Sequence, residues 1–192
     1  MERSLLKKIF LITTNANKAK EIAEILKEYS INIEWIKMKP VEIQSNDIVE
    51  IVKNSAYDAL SKIDKPFLIE DAGLFIDALN GFPGPYSAYA YKTIGNDGIL
   101  KLMKDVSNRN AVFKSAIAYW DSQKGVKIFL GETYGTIAIE KRGIGWGFDP
   151  IFIPNEFPKY TYAELGASKN KVSHRKKALE KLVNWLSFRN SS

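Results

Sequence analysis

The stretch "KIFLITTNANKAKEIAEIL", residues 8–26, changes its hydrophobic period at a single corner. Its unbroken apolar start reads as a strand over 8–13. Ile22, Ile25, Leu26 and Tyr29 then recur at i, i+3, i+4 and i+7, which predicts an amphipathic helix over 18–29. Between the two lie Thr13, Thr14, Asn15, Ala16, Asn17 and Lys18, with no glycine and no P-loop pattern. A helix N-terminus carries unpaired N–H groups and a favourable dipole for an anion. Two readings follow. The Thr13 and Thr14 hydroxyls, the Asn15 amide and Lys18 converge on phosphate oxygens, or an asparagine caps the helix and Lys18 faces solvent.

The remaining chain continues to mix strand and helix signals. A second strand is expected near 31–38, before Pro40, followed by the polar connection "VEIQSND". Asp47 reads as the N-cap of a helix of about 13 residues, with Ile48, Ile51, Val52, Ala56 and Leu60 inward. "PFLIEDAG" reads as a short strand buried on both faces at Phe67–Ile69 and stopping at Glu70–Asp71. "LNGFPGPYSAY" is expected to be a Gly/Pro-rich loop, and 95–104 a short helix. Residues 111–120 and 125–131 predict a hairpin across "DSQKG", with a further strand near 133–140. Thr161 and Glu164 have capping-box spacing, and a last helix starts at Ser173, burying Ala178, Leu179, Leu182, Val183 and Leu186. This predicts an α/β fold around a mixed sheet, with residues 1–192 as a single domain.

Of the 192 residues, 45% are hydrophobic, enough for a sizeable core. No apolar run approaches the ~20 residues of a membrane span, and the charged N-terminus lacks a signal-peptide core. Cysteine is absent and histidine occurs once, which excludes disulfides, thiol catalysis and an ordinary zinc site. A cytoplasmic protein is expected. The net charge of +6 is concentrated in one segment. Residues 169–192 hold Lys169, Lys171, Arg175, Lys176, Lys177, Lys181 and Arg189 against Glu180 alone, so the rest balances. A local anion site or interaction face follows, rather than a general polycation.

Four places carry chemistry: the first corner, Glu70–Asp71, "GIGWGFDP" and "SKNKVSHRKKALEKL". Ligands of open α/β sheets bind beyond strand carboxyl ends, and adjacent strand residues face opposite ways, so one carboxylate, Asp71, is expected in a cleft. It suits Mg²⁺, with Glu42 as a second carboxylate. The competing readings are a backbone-bonded turn at Asp71 and a solvated loop residue at Glu42, and Lys53 by itself reads as the wet side of the 48–60 helix. Glycines around Trp146 and Phe148 let aromatic rings stand beside a flat ligand such as a purine, or else complete the core. His174, Arg175, Lys176 and Lys177 fall in the first turn after Ser173, where cations oppose the dipole. A bound polyanion would reverse that cost.

Together the blocks "TTNANK", "EDAGLFIDALNGFPGPYSA", "GWGFDPIFIP…TYAEL" and "KNKVSHRKKAL" give a chain that resembles the inosine-triphosphate pyrophosphatase, or Ham1-like, family from Ile9 to about Leu186. The resemblance implies an elongated mixed sheet with two lobes around a central cleft, assembled as a homodimer. It implies Mg²⁺-dependent hydrolysis of ITP, dITP and XTP to monophosphate and pyrophosphate, which cleanses the nucleotide pool. On this sequence, Thr13, Thr14, Asn15 and Lys18 would hold the triphosphate, with Lys53 as a further basic contact. Glu42 and Asp71 would hold the metal, Asp71 would also accept the proton, and Ala72 would adjoin the nucleotide. Trp146, Gly147, Phe148 and Asp149 would form the base pocket with Lys169, His174 and Arg175.

Three positions depart from the family pattern. Thr14 stands where a glycine is usual, Ala72 where a serine is common, and Ala88–Tyr89 where many members carry a basic residue. A Maf-like enzyme acting on other nucleotides is the rival within the same chemistry. A nucleic-acid-binding domain using the basic C-terminal helix is the rival from another class.

Overall fold

The computed structural model describes residues 8–188, so Arg189 of the basic segment lies outside the described residues. Seven strands form one mixed sheet among them: β1 (Ile9–Ile12), β2 (Ile33–Ile36), β3 (Phe67–Ile76), β4 (Pro83–Gly84), β5 (Asn110–Asp121), β6 (Gly125–Ile137) and β7 (Phe152–Pro154). The order is β2-β1-β3-β5-β6-β7, with β4 paired to β3. β1 runs parallel to β2 and β3, and the pairs from β3 through β7 are antiparallel.

The helices are α1 (Ala16–Lys27), α2 (Ile48–Leu60), α3 (Ser87–Thr93), α4 (Gly95–Leu102), α5 (Tyr162–Leu165) and α6 (His174–Phe188). Alternation along the buried strands sends side chains to both faces. Ile9, Leu11 and Leu68 pack with α1 and α6, whereas Phe10, Ile12, Phe67 and Ile69 pack with α2. The β1–β2 crossover through α1 and the β2–β3 crossover through α2 therefore lie on opposite faces, and the strand order reverses at β1. A crevice opens at such a point, beyond the carboxyl end of β1 and beside the middle of β3. A third cluster, including Leu74, Phe113, Phe152 and Tyr162, fills the other end. No helix among the described residues is long and apolar enough to cross a membrane.

Several expected elements differ. β3 does not stop at Glu70–Asp71 but runs on to Ile76, because Ala72–Ile76 pair with β5 and Leu74–Phe75 pair with β4. The carboxylates therefore sit mid-strand. The strands expected at 125–131 and 133–140 are one strand, β6. Part of the expected loop is α3, seated by Ser87, whose Oγ donates to Gly84 O (2.7 Å) and accepts from Leu74 N (2.8 Å). Gly73 permits this approach, since a Cβ there would lie 2.2 Å from Gly84 O. α2 spans 48–60 with Asp47 as its cap, and the Thr161–Glu164 capping box is present.

Candidate active site

Asn15 caps α1, its Oδ1 accepting from the N–H groups of Asn17 (3.0 Å) and Lys18 (3.1 Å). Capping and cleft position coexist, because Asn15 and Lys18 also line the crevice. Lys18 does not point into solvent. Its Nζ lies 3.0 Å from Glu70 Oε2 and 3.8 Å from Asp71 Oδ1, and donates to the Glu70 carbonyl at 3.3 Å. The β1–α1 corner is thus tied to the middle of β3.

Strand alternation separates the two acids. Glu70, on the α6 side, is 6% exposed and accepts from Ser115 Oγ (2.8 Å), with Arg175 Nη2 at 3.1 Å. Burial opposes its ionisation, but the charges of Arg175 and Lys18 outweigh burial and hold its carboxyl at about 2. Asp71 faces the α2 side. Burial raises its carboxyl to about 6, Lys18 opposing and the charges of Glu70 and Glu42 adding to the rise.

A second ionic cluster joins α1, the 144–149 loop and the start of α6. Glu21 accepts from Trp146 Nε1 (2.8 Å) and Lys169 Nζ (2.7 Å) and pairs with Arg175. Lys169 also meets Asp149 Oδ2 at 2.7 Å. Burial raises the Asp149 carboxyl to about 6 against the pull of Lys169. Lys169 and Arg175 lie 5.0 and 5.6 Å from the Trp146 ring centroid. His174 stacks on Phe113 at 4.7 Å, and burial followed by the Arg175 charge lowers its pKa well below the ordinary value. It is therefore a neutral imidazole, and its buried Nδ1 has no hydrogen-bond partner among the described residues. Gly147, at φ +60°, turns the loop so that Trp146 and Phe148 both reach the cleft.

These elements enclose two adjoining cavities. The first, about 340 Å³, is lined by Ala72, Phe113, Trp146, Gly147, Phe148, Asp149, Lys169, His174 and Arg175 among others. The second, about 510 Å³, is lined by Thr13, Thr14, Glu42 and Glu70 among others. Asn15, Lys18, Asp71, Pro85, Ala88 and Lys92 line both. An aromatic chamber and a polar chamber therefore meet at Asp71. The polar one suits a hard cation, since Asp71 and Glu42 both line it and carboxylate charge accumulates there.

A profile described as the Ham1 family matches residues 9–185. The chain belongs to the Ham1 family. It is 49% identical over 174 residues to a dITP/XTP pyrophosphatase of Korarchaeum cryptofilum, covering 91% of this chain and 93% of that protein. It is 44% identical over 181 residues to the dITP/XTP pyrophosphatase of Thermococcus kodakarensis, covering 93% and 97%. Among solved structures, a HAM1 protein from Coxiella burnetii superposes with a TM-score of 0.79 at 32% identity, covering 94% of this chain and 98% of that one. The Staphylococcus aureus Ham1 protein gives 0.80 at 26% identity, covering 94% and 99%.

Every site residue expected from the sequence lines one of the two cavities of this Ham1 chain except Lys53. Lys53 is exposed on α2, whose inward positions Val52 and Ala56 pack on the sheet, so the helix turns Lys53 outward. The basic first turn of α6 also needs correction. His174 and Arg175 line the cleft, but Lys176 pairs with Glu28 and Lys177 meets Glu156 at 2.7 Å. Carboxylates from elsewhere in the chain thus offset the unfavourable dipole without a bound anion. Glu21 and Glu70 were missed as organisers. Glu21 sits one residue before Ile22 and four before Ile25, so a carboxylate on the inward edge of α1 was the available signal.

Proposed function

We propose that this chain hydrolyses non-standard purine nucleoside triphosphates (dITP, ITP and XTP) between the α- and β-phosphates, releasing monophosphate and pyrophosphate. The observation that carries this reading is the meeting of an aromatic chamber with a polar chamber at Asp71. A base in the first and phosphates in the second would bring the α-phosphorus to the shared wall. The names of the relatives as dITP/XTP pyrophosphatases support the substrate class.

Trp146 and Phe148 supply apolar walls for the purine, and Lys169, Arg175 and loop N–H groups are donors suited to O6, where adenine carries an amino group. Thr13, Thr14, Asn15 and Lys18 face the phosphates. Asp71 and Glu42 would hold Mg²⁺, which supplies neutralisation of phosphate charge and orientation of the leaving pyrophosphate. Asp71, on the shared wall of the two chambers with part of its carboxylate open to solvent, would take a proton from the attacking water. The cations Lys169, Arg175, Lys176 and Lys177 each meet a carboxylate, which disfavours the nucleic-acid reading. A cytoplasmic homodimer remains the expectation from the family resemblance, and the exposed Phe82, Tyr86 and Tyr89 offer a surface for it.

The test is a panel of dITP, ITP, XTP, GTP and ATP with Mg²⁺, separating pyrophosphate from orthophosphate. The expected result is pyrophosphate from dITP, ITP and XTP ahead of GTP and ATP. Untouched dITP and XTP, or stepwise release of orthophosphate, refutes the proposal.

A further inference from the structure

We propose that Lys92 is a substrate-binding residue that contacts the phosphates at the α–β junction, an inference that rests on the pyrophosphatase reading above. Five cationic side chains line the two cavities: Lys18, Lys39, Lys92, Lys169 and Arg175. Four are already engaged by carboxylates. Lys18 meets Glu70 at 3.0 Å, Lys39 meets Glu42 at 3.9 Å, Lys169 meets Asp149 at 2.7 Å, and Arg175 meets Glu70 at 3.1 Å. The Lys92 side chain is exposed, and no side-chain hydrogen bond or ion pair engages it among the described residues.

Its position is set by the same contacts that seat α3. Ser87 ties the first turn of this helix to β3, which carries Asp71 three residues before Leu74. Ala88 and Lys92 are four residues apart on α3, so they share a face, and both line both cavities. Lys92 therefore borders the same two cavities as Asn15 and Lys18 of the β1–α1 corner, one helical turn beyond Ala88. Lys53, the further basic contact expected from the sequence, stays outside the cleft. A triphosphate entering there meets cations whose charge is largely balanced, and Lys92 is the one whose charge is uncommitted. Its flexible stem can bring an ammonium to oxygens on which charge grows as pyrophosphate departs.

Lys92 also lies in the last turn of α3, where a cation is favoured by the helix dipole. A purely structural role would thus appear as lost stability, common to all substrates. The experiment measures kcat/KM for dITP with Mg²⁺, and the thermal midpoint, in wild type, Lys92→Gln, Lys92→Arg and the double variant Lys92→Ala/Ala88→Lys. A charge-assisted contact predicts a loss of about 10- to 100-fold in Lys92→Gln. Lys92→Arg should retain most activity, and the double variant should recover at least part of it by moving the ammonium back one turn. The slope of log(kcat/KM) against log[KCl] should also be shallower in Lys92→Gln, because one screened attraction is gone. Lys92→Gln within threefold of wild type overturns the inference while leaving the pyrophosphatase reading intact. So does an equal deficit in Lys92→Arg. A wild type that does not cleave dITP overturns both.

Discussion

Replacing Asp71 by asparagine is expected to abolish turnover and, in the metal-free protein, to raise stability above pH 6. In the folded chain burial, opposed by Lys18 and reinforced by Glu70, raises the Asp71 carboxyl from 3.8 to about 6. Such a difference corresponds to about 3 kcal/mol of preference for the protonated form. Because the folded value is raised, the group's contribution is complete below about 3.8 and is lost as pH climbs through about 6. Above that, wild type carries the cost of an ionised, poorly compensated carboxylate. The side chain keeps 24% of its surface open to solvent, so about 1–2 kcal/mol is the expected net cost. Asparagine keeps an oxygen for the Ala72 N–H, now 2.9 Å from Oδ1, and leaves Lys18 its 3.0 Å contact with Glu70. The assay is urea unfolding of both proteins in EDTA between pH 5 and 8. The variant's advantage should grow from pH 5 to 7 and level off above. Adding Mg²⁺ without nucleotide should stabilise wild type and not the variant, since a ligand of the folded state raises stability by mass action. An Asp71→Asn protein that is less stable at pH 8 would show that Asp71 is not electrostatically frustrated, and one that responds equally to Mg²⁺ would show that Asp71 is not a metal ligand.

Two further substitutions probe how the site is held. Glu21→Gln leaves Lys169 with Asp149 and Arg175 with Glu70, so a loss of about 2–3 kcal/mol in urea unfolding is expected, rather than the larger cost of fully orphaned charges. kcat/KM for dITP should fall at least tenfold as the Trp146 loop loosens, and a change below about 0.5 kcal/mol contradicts the hub role. Gly131→Ala would drive a Cβ to 2.0 Å from His174 O and 2.4 Å from Ala178 N, both backbone atoms of α6. About 3 kcal/mol of destabilisation is expected, with impaired substrate binding because His174 and Arg175 move with the helix; an unchanged melting midpoint would rule this packing out.

Much of the fold was legible because it depends on local signals. The apolar run at Ile9–Ile12 and the periodicity of Ile22, Ile25 and Leu26 mark β1 and α1 wherever they dock. Asp47 and the Thr161–Glu164 box mark helix starts through hydrogen bonds spanning at most three residues. The extent of β3 was not legible, because Glu70 and Asp71 look like a strand end until β4 and β5 pair past them. Nor was α3 legible within a Gly/Pro-rich stretch, since Ser87 is anchored by Gly84 and Leu74.

The sequence by itself determined the α/β class, the cleft-lining blocks and the family, because hydrophobic period and ordered motifs are properties of the chain. Only the tertiary structure decided the charge state and allegiance of the site. Coulombic pairing and desolvation act through space, so Glu21 and Glu70 could claim Lys169, Lys18 and Arg175 only once α1, β3 and α6 met. The same packing left Lys92 uncommitted at the junction of the two chambers.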